Sequence, residues 1–319
     1  MVSMKDIANK IGVSRCTVSN VLNNRLDGKS YRKETIELVR KTATEMGYIS
    51  NSMARALKTG SSQTIAVVVP DIANTFYIKI IKEIERRANA MNYSLIICMA
   101  EEILEKENAV LRMLQSRCVD GVLISPVSFS ESLQENYPYK IVCLDRTVTG
   151  DRFPCIKIDN YTAGYELCAQ IIRDGARRPL FLAGSKEDHT IEMRFNGICA
   201  ALNDQGLTFP QGHAFMDIFE EDAAYRIVAQ AIGQGMAFDS ILLSTNYLIY
   251  GVLHALKDFK RDLVSIGGFE DFYGKCLSDK RIHIIHQHEE LLANRAFDTL
   301  IRLLRNESVE SCTVPFSLV

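Results

Sequence analysis

Residues 5–23 read KDIANKIGVSRCTVSNVLN, and this stretch predicts two short helices joined by a tight turn. Ser3 and Asp6 have the spacing of a capping box at the start of the first helix, and Gly12 is a typical residue for its end. Ser14 can cap the second helix. Two short helices joined by a turn that contains glycine are typical of a helix-turn-helix, whose second helix enters the major groove of DNA.

The predicted second helix has two different faces. Val18, Val21 and Leu22 recur at the spacing of one buried helical face. Taken by itself, the opposite, polar face could be an ordinary solvated helix surface. Taken together with the caps, the turn and the core pattern, it favours contact with DNA. The guanidinium of Arg15 can hydrogen-bond guanine with two donors, and the amide of Asn20 can pair with adenine in the same bidentate way. The predicted DNA contacts of this segment are Ser14, Arg15, Cys16, Thr17, Ser19, Asn20 and Asn23.

A third helix is predicted in KETIELVRKTATEMG, residues 33–47. Ile36 and Val39 fall on its inward face, and Gly47 is a typical residue for its end. Three helices within fifty residues can close a minimal core. The sequence therefore predicts a DNA-binding domain at residues 1–50.

Charge is distributed unevenly along the chain. Residues 1–60 contain eleven Lys and Arg against five Asp and Glu, whereas the whole chain has 37 basic and 39 acidic residues. The first sixty residues therefore carry a charge of +6 and the remainder a charge of −8. A small basic domain can simply be a soluble one, but a basic module on an acidic body also suits a polyanionic partner such as DNA.

From Thr64 onward, apolar strand-like runs alternate with amphipathic helical stretches. The runs IAVVVP, LIICMA, GVLISP, YKIVCLD and CIKID form one series, and PLFLAG, SILLST, VSIGGF and IHIIHQ form a second. Continuous apolar strands separated by helices predict parallel sheets that are covered on both faces. The predicted fold class is therefore α/β, with two doubly wound lobes after the N-terminal helices and a linker.

Several classes of protein lack their sequence signals here. The N-terminus has no apolar signal segment and no apolar run is long enough to span a bilayer, which predicts a cytoplasmic protein without membrane contact. The nine cysteines show neither paired nor zinc-like spacing, so we expect structural thiols and no metal site. The turn after the first core strand contains no glycine, and no P-loop or G-x-S-x-G motif occurs. We therefore expect no cofactor and no catalytic residues.

Three segments, in order and at matching spacing, carry a family resemblance: KDIANKIGVSRCTVSNVLN, GYISNSMARALKTG and IAVVVPDIANTFY. With them the chain resembles the LacI/GalR family of bacterial repressors over nearly its whole length. The resemblance implies a hinge helix within residues 51–62 that forms only on DNA, with Leu57 inserted into the minor groove. Such an apolar wedge can open a base step and bend the duplex. The DNA contacts implied in this segment are Asn51, Ala54, Leu57 and Lys58.

The same resemblance implies a periplasmic-binding-protein-like core for effector binding and dimerisation at residues 63–319. Its first lobe is expected at about 63–158 and 289–306, and its second lobe at about 159–288 and 307–319. Ligands of such sheets bind outside the carboxyl ends of the strands, so the loops that follow the strands are the candidate ligand contacts.

Amide, carboxylate, guanidinium and aromatic groups in these loops suit a polyhydroxylated ligand. By resemblance, Arg194 fits the family's arginine in R-x-x-G-F, here RFNGI, and Gln287 fits a cleft glutamine. Asn246 and Glu270 stand where the family usually has aspartate, so a different sugar, a phosphosugar held by Arg146 and Arg194, and a nucleobase all stay open as ligands. The predicted effector contacts are Asn74, Phe76, Tyr77, Ser125, Asp145, Arg146, Asp159, His189, Arg194, Asn246, Glu270 and Gln287.

The sequence therefore predicts a ligand-responsive transcriptional repressor. A homodimer on a palindromic operator is expected, because one helix-turn-helix reads only a half-site. The expected effector is a small polar molecule such as a carbohydrate. A transport-associated solute-binding protein would carry a signal peptide in place of residues 1–60, and a repressor without any small effector stays open. For Asp159 and His189, a helix cap or a surface-loop contact is the alternative to a ligand contact.

Overall fold

The computed structural model describes residues 2–22, 31–48, 60–270 and 281–319. Its contacts divide the chain into two compact units, Met1–Ser62 and Gln63–Val319. Most of the predicted hinge helix lies outside the described residues, and so do these predicted DNA contacts: Asn23, Asn51, Ala54, Leu57 and Lys58.

The first unit contains three described helices: α1 at Met4–Ile11, α2 at Arg15–Leu22 and α3 at Lys33–Glu45. Ile7, Val18 and Val39 come one from each helix, are fully buried and belong to one apolar cluster. Full burial of such a side chain contributes about 1.5–3 kcal/mol. This small core is therefore built from positions that the helical spacing predicts.

The second unit contains two lobes, each built on a six-stranded sheet. The strands of lobe 1 are β1 at Thr64–Val69, β2 at Ser94–Met99, β3 at Gly121–Ile124, β4 at Lys140–Leu144, β5 at Cys155–Ile158 and β11 at Cys312–Val314. Its helices are α4 at Thr75–Ala90, α5 at Leu104–Ser116 and α10 at Glu289–Leu304. The strand order is β11-β5-β4-β3-β1-β2, and all neighbours are parallel.

The strands of lobe 2 are β6 at Pro179–Leu182, β7 at Ala214–Phe215, β8 at Ser240–Leu243, β9 at Ser265–Phe269, β10 at Ile282–His286 and β12 at Ser317–Leu318. Its helices are α6 at Asn160–Arg173, α7 at His189–Asp204, α8 at Glu221–Gly233 and α9 at Ile249–Asp258. The order is β12-β10-β9-β8-β6-β7, with only β12 antiparallel to its described neighbour. The predicted fold class, two mainly parallel α/β lobes after N-terminal helices, is confirmed.

Both faces of the central strands β1, β3 and β4 are buried, as continuous apolar strands require. In β1, Val67 belongs to the same buried cluster as Ile84 of α4, whereas Val68 belongs to the cluster of Leu111 in α5. Alternate residues of one strand therefore face helices on opposite sides of the sheet. A strand covered in this way has no solvent-facing position for a polar side chain.

The chain passes between the lobes after β5, after β10 and again between β11 and β12. The prediction that residues 307–319 belong to the second lobe is wrong for β11. This strand extends the sheet of lobe 1, with Cys312 opposite Ile156 in β5. The run CTVPFSLV looks like one strand, but Pro315 has no N–H for a ladder and separates two strands that join different sheets.

The helices α6 and α7 approach each other through two glycines. A Cβ atom on Gly197 would lie 2.1 Å from the carbonyl oxygen of Tyr161, and a Cβ on Gly164 would lie 2.2 Å from the carbonyl oxygen of Arg194. Only glycine leaves room for backbone contact at this distance. The two glycines therefore fix how the start of α7 is placed against α6.

We expect Gly197→Ala to lower the free energy of unfolding by about 1–3 kcal/mol, because the added methyl group forces the two backbones apart. Gly233→Ala is the matched control. Gly233 also lies in a helix, but its Cβ would meet nothing within 4 Å. Urea unfolding of both variants measures the difference, and equal stabilities would contradict this account of the helix crossing.

Candidate functional site

Local capping sets the positions of the two helix-turn-helix helices. The Oγ of Ser3 accepts the N–H of Asp6 at 3.3 Å, and Oδ2 of Asp6 accepts the N–H of Ser3 at 2.9 Å. The predicted capping box is therefore confirmed. The N–H and the hydroxyl of Ser3, which both donate to the Asp6 carboxylate, lower the pKa of Asp6. Gly12 adopts a φ of 68°, the left-handed conformation that commonly ends a helix.

The polar face of α2 begins directly after its cap. Ser14 accepts the N–H of Thr17 at 3.0 Å, so it caps the helix as predicted. Asn20 donates its amide to the hydroxyl of Tyr31 at 2.8 Å, so part of its hydrogen-bonding capacity is used within the domain. Of the predicted DNA contacts described here, Ser14, Arg15 and Cys16 are exposed, and Thr17, Ser19 and Asn20 are half-buried.

A cleft of about 880 Å³ opens between the two lobes, at the carboxyl ends of their strands. Its walls come from the segments after β1, β2 and β4 in lobe 1 and after β6, β7, β8 and β9 in lobe 2. The predicted effector contacts that line it are Asn74, Phe76, Tyr77, Asp145, Arg146, Arg194 and Glu270.

Arg194 projects from α7 and is 3 % exposed. Its Nε donates to Asn160 at 2.8 Å, its Nη1 to the carbonyl oxygen of Ser244 at 2.6 Å, and its Nη2 to Gln287 at 3.2 Å. The guanidinium carbon lies 3.8 Å from the centre of the Phe269 ring. A buried guanidinium is stable only when its donors are satisfied, and here three elements of lobe 2 satisfy them.

Asp145 and Glu270 follow β4 and β9 directly, both with positive φ. Oδ2 of Asp145 accepts the hydroxyl of Tyr77 at 3.3 Å, and Oε1 of Glu270 accepts the amide of Gln287 at 2.7 Å. Oε2 of Glu270 is buried and has no hydrogen-bond partner among the described residues. Burial raises the pKa of Glu270 to about 8, although the Arg194 guanidinium opposes the shift. Burial also raises the pKa of Asp145.

Arg146 connects the two lobes. Its guanidinium donates to both carboxylate oxygens of Glu102 at 2.8 and 2.9 Å, and its Nε lies 3.0 Å from Oδ2 of Asp188 in lobe 2. Burial would lower the pKa of Arg146, but these two carboxylates and Tyr77 outweigh burial and hold the pKa well above its usual value. Asp188 also caps α7, because its Oδ1 accepts the N–H of Thr190 at 2.8 Å.

Two predicted effector contacts stand behind the cleft wall. The hydroxyl of Ser125 is hydrogen-bonded to that of Tyr77 at 2.9 Å. Gln287 is fully buried between Arg194 and Glu270 and bonds to both. Both residues position side chains that line the cleft and do not line it themselves.

Three further predicted contacts also lie outside the cleft lining. Asn246 donates its amide to Thr75 at 2.8 Å, which is a second polar contact between the lobes. Asp159 and His189 line a separate cavity of about 190 Å³. Asp159 also accepts the N–H of Thr162 at 3.0 Å and caps α6, which is the predicted alternative to a ligand contact.

The sequence prediction omitted several residues of the cleft. Glu102 follows β2, so the rule that ligand loops follow strands would have included it. Asp188 carries the signal of a helix cap, but only the folded chain shows that it faces Arg146. Phe219 follows β7, a two-residue strand too short to produce a sequence pattern. The lining residues that the sequence prediction omitted include Glu102, Asp188, Phe219, Tyr247 and Tyr250.

Two family descriptions match this chain. "Bacterial regulatory proteins, lacI family" matches residues 3–51, and "Periplasmic binding proteins and sugar binding domain of LacI family" matches residues 62–238. The second match spans more than half of the chain. The chain belongs to the LacI family.

This LacI-family chain is 28 % identical to the HTH-type transcriptional regulator RegA of Clostridium saccharobutylicum, with 97 % of the chain and 94 % of that protein covered. It is 25 % identical to the ribose operon repressor of Escherichia coli K12, with 97 % and 95 % covered. The crystal structure of the lac repressor dimer bound to operator and the anti-inducer ONPF shares its fold. That comparison has a TM-score of 0.84 and 21 % identity and covers 100 % of this chain and 97 % of the other.

The relatives are transcriptional regulators, and the LacI-family chain has the α/β fold that the sequence predicts. Within the described ranges, no helix combines the length and the apolar character needed to cross a bilayer. In the same ranges, His, Cys, Asp and Glu form no group of three or more that could hold a metal ion.

We expect the free energy of unfolding of this protein to decrease as the pH rises, because of Glu270. Unfolded, its carboxyl loses its proton near pH 4.5, whereas the folded protein keeps it until about pH 8. The stabilisation is therefore fully present below pH 4.5 and is lost as the pH rises to about 8.

Glu270→Gln keeps the acceptor for Gln287 but cannot ionise. Between about pH 5 and pH 8, the free energy of unfolding of the wild type should fall relative to this variant, by up to about 1.4 kcal/mol per pH unit. Urea unfolding at several pH values measures this, with the exposed Glu187→Gln as control. Parallel pH profiles for the wild type and Glu270→Gln would contradict the prediction.

Proposed function

We propose that this chain is a transcriptional repressor whose affinity for operator DNA is controlled by a small polar molecule bound between its two lobes. The observation that carries the proposal is the presence, in one chain, of a capped helix-turn-helix and a polar interlobe cleft. We assign no catalytic activity, metal or cofactor to it, and we place its action in the bacterial cytoplasm.

The arrangement of α2 supports sequence-specific DNA binding. Arg15 and Cys16 are exposed at the N-terminal end of the helix, and this end contacts base edges when such a helix lies in the major groove. Residues 1–60 also carry the net positive charge that attracts phosphates. Base contacts from α2 and phosphate contacts around it would together give a specific half-site.

A homodimer on a palindromic operator follows from the short reach of one such helix. The lac repressor, whose fold this chain shares, has been crystallised as a dimer on its operator. In this chain β2 is an edge strand of lobe 1. Ile97 on β2 and Ile78 on α4 are apolar side chains with 45 % and 46 % of their surface exposed. A second copy would cover this apolar edge, which otherwise faces water.

The contacts between the lobes support control by a ligand. Arg146 with Asp188 and Asn246 with Thr75 are polar pairs that exist only while the lobes are close. A ligand in the cleft would contact both walls and would therefore bind the open and closed arrangements differently. Only such a difference in affinity can shift the equilibrium between them and so change operator binding.

Selection of operator sequences from a random DNA pool, with and without a metabolite panel, tests the whole proposal. We expect one enriched palindrome and at least one metabolite that changes its retention. A repressor without a small effector would enrich the palindrome but respond to no metabolite. A binding protein that does not recognise DNA would enrich no sequence at all.

We expect Arg15→Ala to weaken binding to the selected operator by about 1–3 kcal/mol and to relax the base preference at one position. Lys41→Ala is the control, because Lys41 is an exposed cation on α3 that pairs with Glu45. Fluorescence anisotropy on the operator and on single-base variants measures both effects. An equal loss on every sequence would identify Arg15 as a phosphate contact instead.

We expect Asp188→Asn to open the lobes in the ligand-free protein. Asparagine caps a helix as well as aspartate does, so α7 keeps its cap while the charge facing Arg146 disappears. Small-angle X-ray scattering should show a larger radius of gyration, and half-maximal operator response should move to a different effector concentration. Asp204→Asn, at the other end of α7, should change neither quantity, and identical behaviour of the two variants would contradict the role of the ion pair.

A further inference from the structure

The charges that line the cleft do not balance. In the part of the chain that the structure describes, seven carboxyl groups line the cleft against two guanidinium groups, and no lysine or histidine lines it. Carboxylates on a cleft wall can simply be solvated, so the excess alone identifies no ligand. The hydrogen bonds of the two guanidinium groups are therefore decisive.

Both guanidinium groups are already bound to the protein. Arg194 directs its hydrogen bonds to three uncharged acceptors. Arg146 donates to both carboxylate oxygens of Glu102 and forms an ion pair with Asp188, although its buried Nε has no hydrogen-bond partner among the described residues. A phosphate or carboxylate on a ligand would have to break these contacts and then lie among the remaining carboxylates. An anionic ligand is therefore disfavoured, including the phosphosugar that the sequence left open.

One carboxyl group in this cleft is buried and incompletely bonded. Glu270 is only 4 % exposed, and its Oε2 has no hydrogen-bond partner among the described residues. The described hydrogen bonds of Arg146 and Arg194 reach neither Glu270 nor Asp145. Below about pH 8 the ligand-free protein keeps this carboxyl protonated, because burial disfavours its charge. A ligand that brings a positively charged N–H donor to this oxygen would favour the ionised form and displace the proton.

Aromatic rings line the same cleft. They are Phe76, Tyr77, Phe219, Tyr247 and Tyr250. An aromatic face attracts a cation through its quadrupole and also packs against the apolar part of a ligand. The cleft therefore combines an excess of carboxyl groups, a buried carboxyl oxygen without a hydrogen-bond partner among the described residues and several π faces.

We propose that the effector is a cation, specifically a protonated amine on a ring or a short chain, whose N–H groups bind the unpartnered oxygen of Glu270 and the carboxylate of Asp145. This inference rests on the proposed function, since it names the ligand of the proposed cleft. The hydroxyl groups of a neutral sugar could also donate to these oxygens. Only a cation also stabilises the ionised forms of these two carboxyl groups, whose pKa values burial raises in the ligand-free protein.

The test uses the full-length protein and three matched sets of probes. One set is glucosamine, glucose and glucose 6-phosphate; the second is phenethylamine, phenylethanol and phenylacetate; the third is putrescine, butanediol and succinate. Thermal unfolding and calorimetry with each probe compare an amine with a neutral and an anionic molecule of similar shape. We expect the amine to give the largest stabilisation in at least one set, and no anion to exceed its neutral counterpart.

Two variants then locate the amine. Glu270→Gln and Asp145→Asn should each lower the affinity of the best amine by about tenfold or more, and that of its neutral counterpart by less than about threefold. Glu187→Gln removes an exposed carboxylate near the cleft that does not line it, and it should change neither affinity. Thermal unfolding without probes verifies that each variant is folded, and the two cleft variants serve as independent tests.

The inference is wrong if a neutral or anionic probe stabilises the protein more than its amine counterpart in every set, or if no amine binds. It is also wrong if both cleft variants keep full affinity for the amine. A neutral or anionic probe that binds and changes operator affinity would leave the proposed function standing while this inference fails. If operator selection enriches no sequence, the proposed function fails whatever the cleft binds.

Discussion

The site depends on one buried guanidinium. Arg194 has almost no contact with water, so its charge is stable only because Asn160, Ser244 and Gln287 accept its hydrogen bonds. These acceptors belong to the start of α6 and to the segments that follow β8 and β10. The single side chain therefore holds three parts of lobe 2 at the cleft, and it keeps Gln287 oriented so that its amide reaches Glu270.

The backbone of Arg194 in turn depends on a glycine. Its carbonyl oxygen occupies the space where a Cβ on Gly164 would lie, so α6 and α7 can meet only where neither carries a side chain. Core packing and polar chemistry are thus coupled at this point. A change that separated the two helices would move the guanidinium away from its acceptors and leave a buried charge unpaired, which is among the costliest defects in a protein interior.

The two lobes interact through polar groups at the cleft and through a buried apolar cluster that includes residues of both sheets, such as Val67 in lobe 1 and Phe181 in lobe 2. The polar contacts, Arg146 with Asp188 and Asn246 with Thr75, form only while the cleft walls are close together. Apolar burial is less directional and favours any compact arrangement. This combination suits a protein that must keep its lobes associated and still change the distance between the cleft walls.

Much of the architecture was predictable from local patterns. Residues close in sequence decide the caps at Ser3 and Ser14, because a capping hydrogen bond joins residues three positions apart. The spacing of apolar residues likewise indicates the inward positions of α1 to α3 and the continuous apolar strands. The rule that loops after parallel strands meet at one edge placed Asp145, Arg194 and Glu270 at a common cleft. The same local information could not assign CTVPFSLV, since pairing partners of β11 and β12 are distant in sequence.

The chemistry of the cleft was decided at the tertiary level. From sequence, Arg146 and Arg194 are two cations available to a phosphate, and Asp188 is not among the predicted contacts. In the folded chain, Glu102 and Asp188 hold the first arginine, and uncharged acceptors hold the second. Whether a charged side chain is free or already bound depends on residues that lie far apart in sequence. Local pattern thus determined which elements form and which loops meet, whereas only the packing of the two lobes decided which charges remain for a ligand.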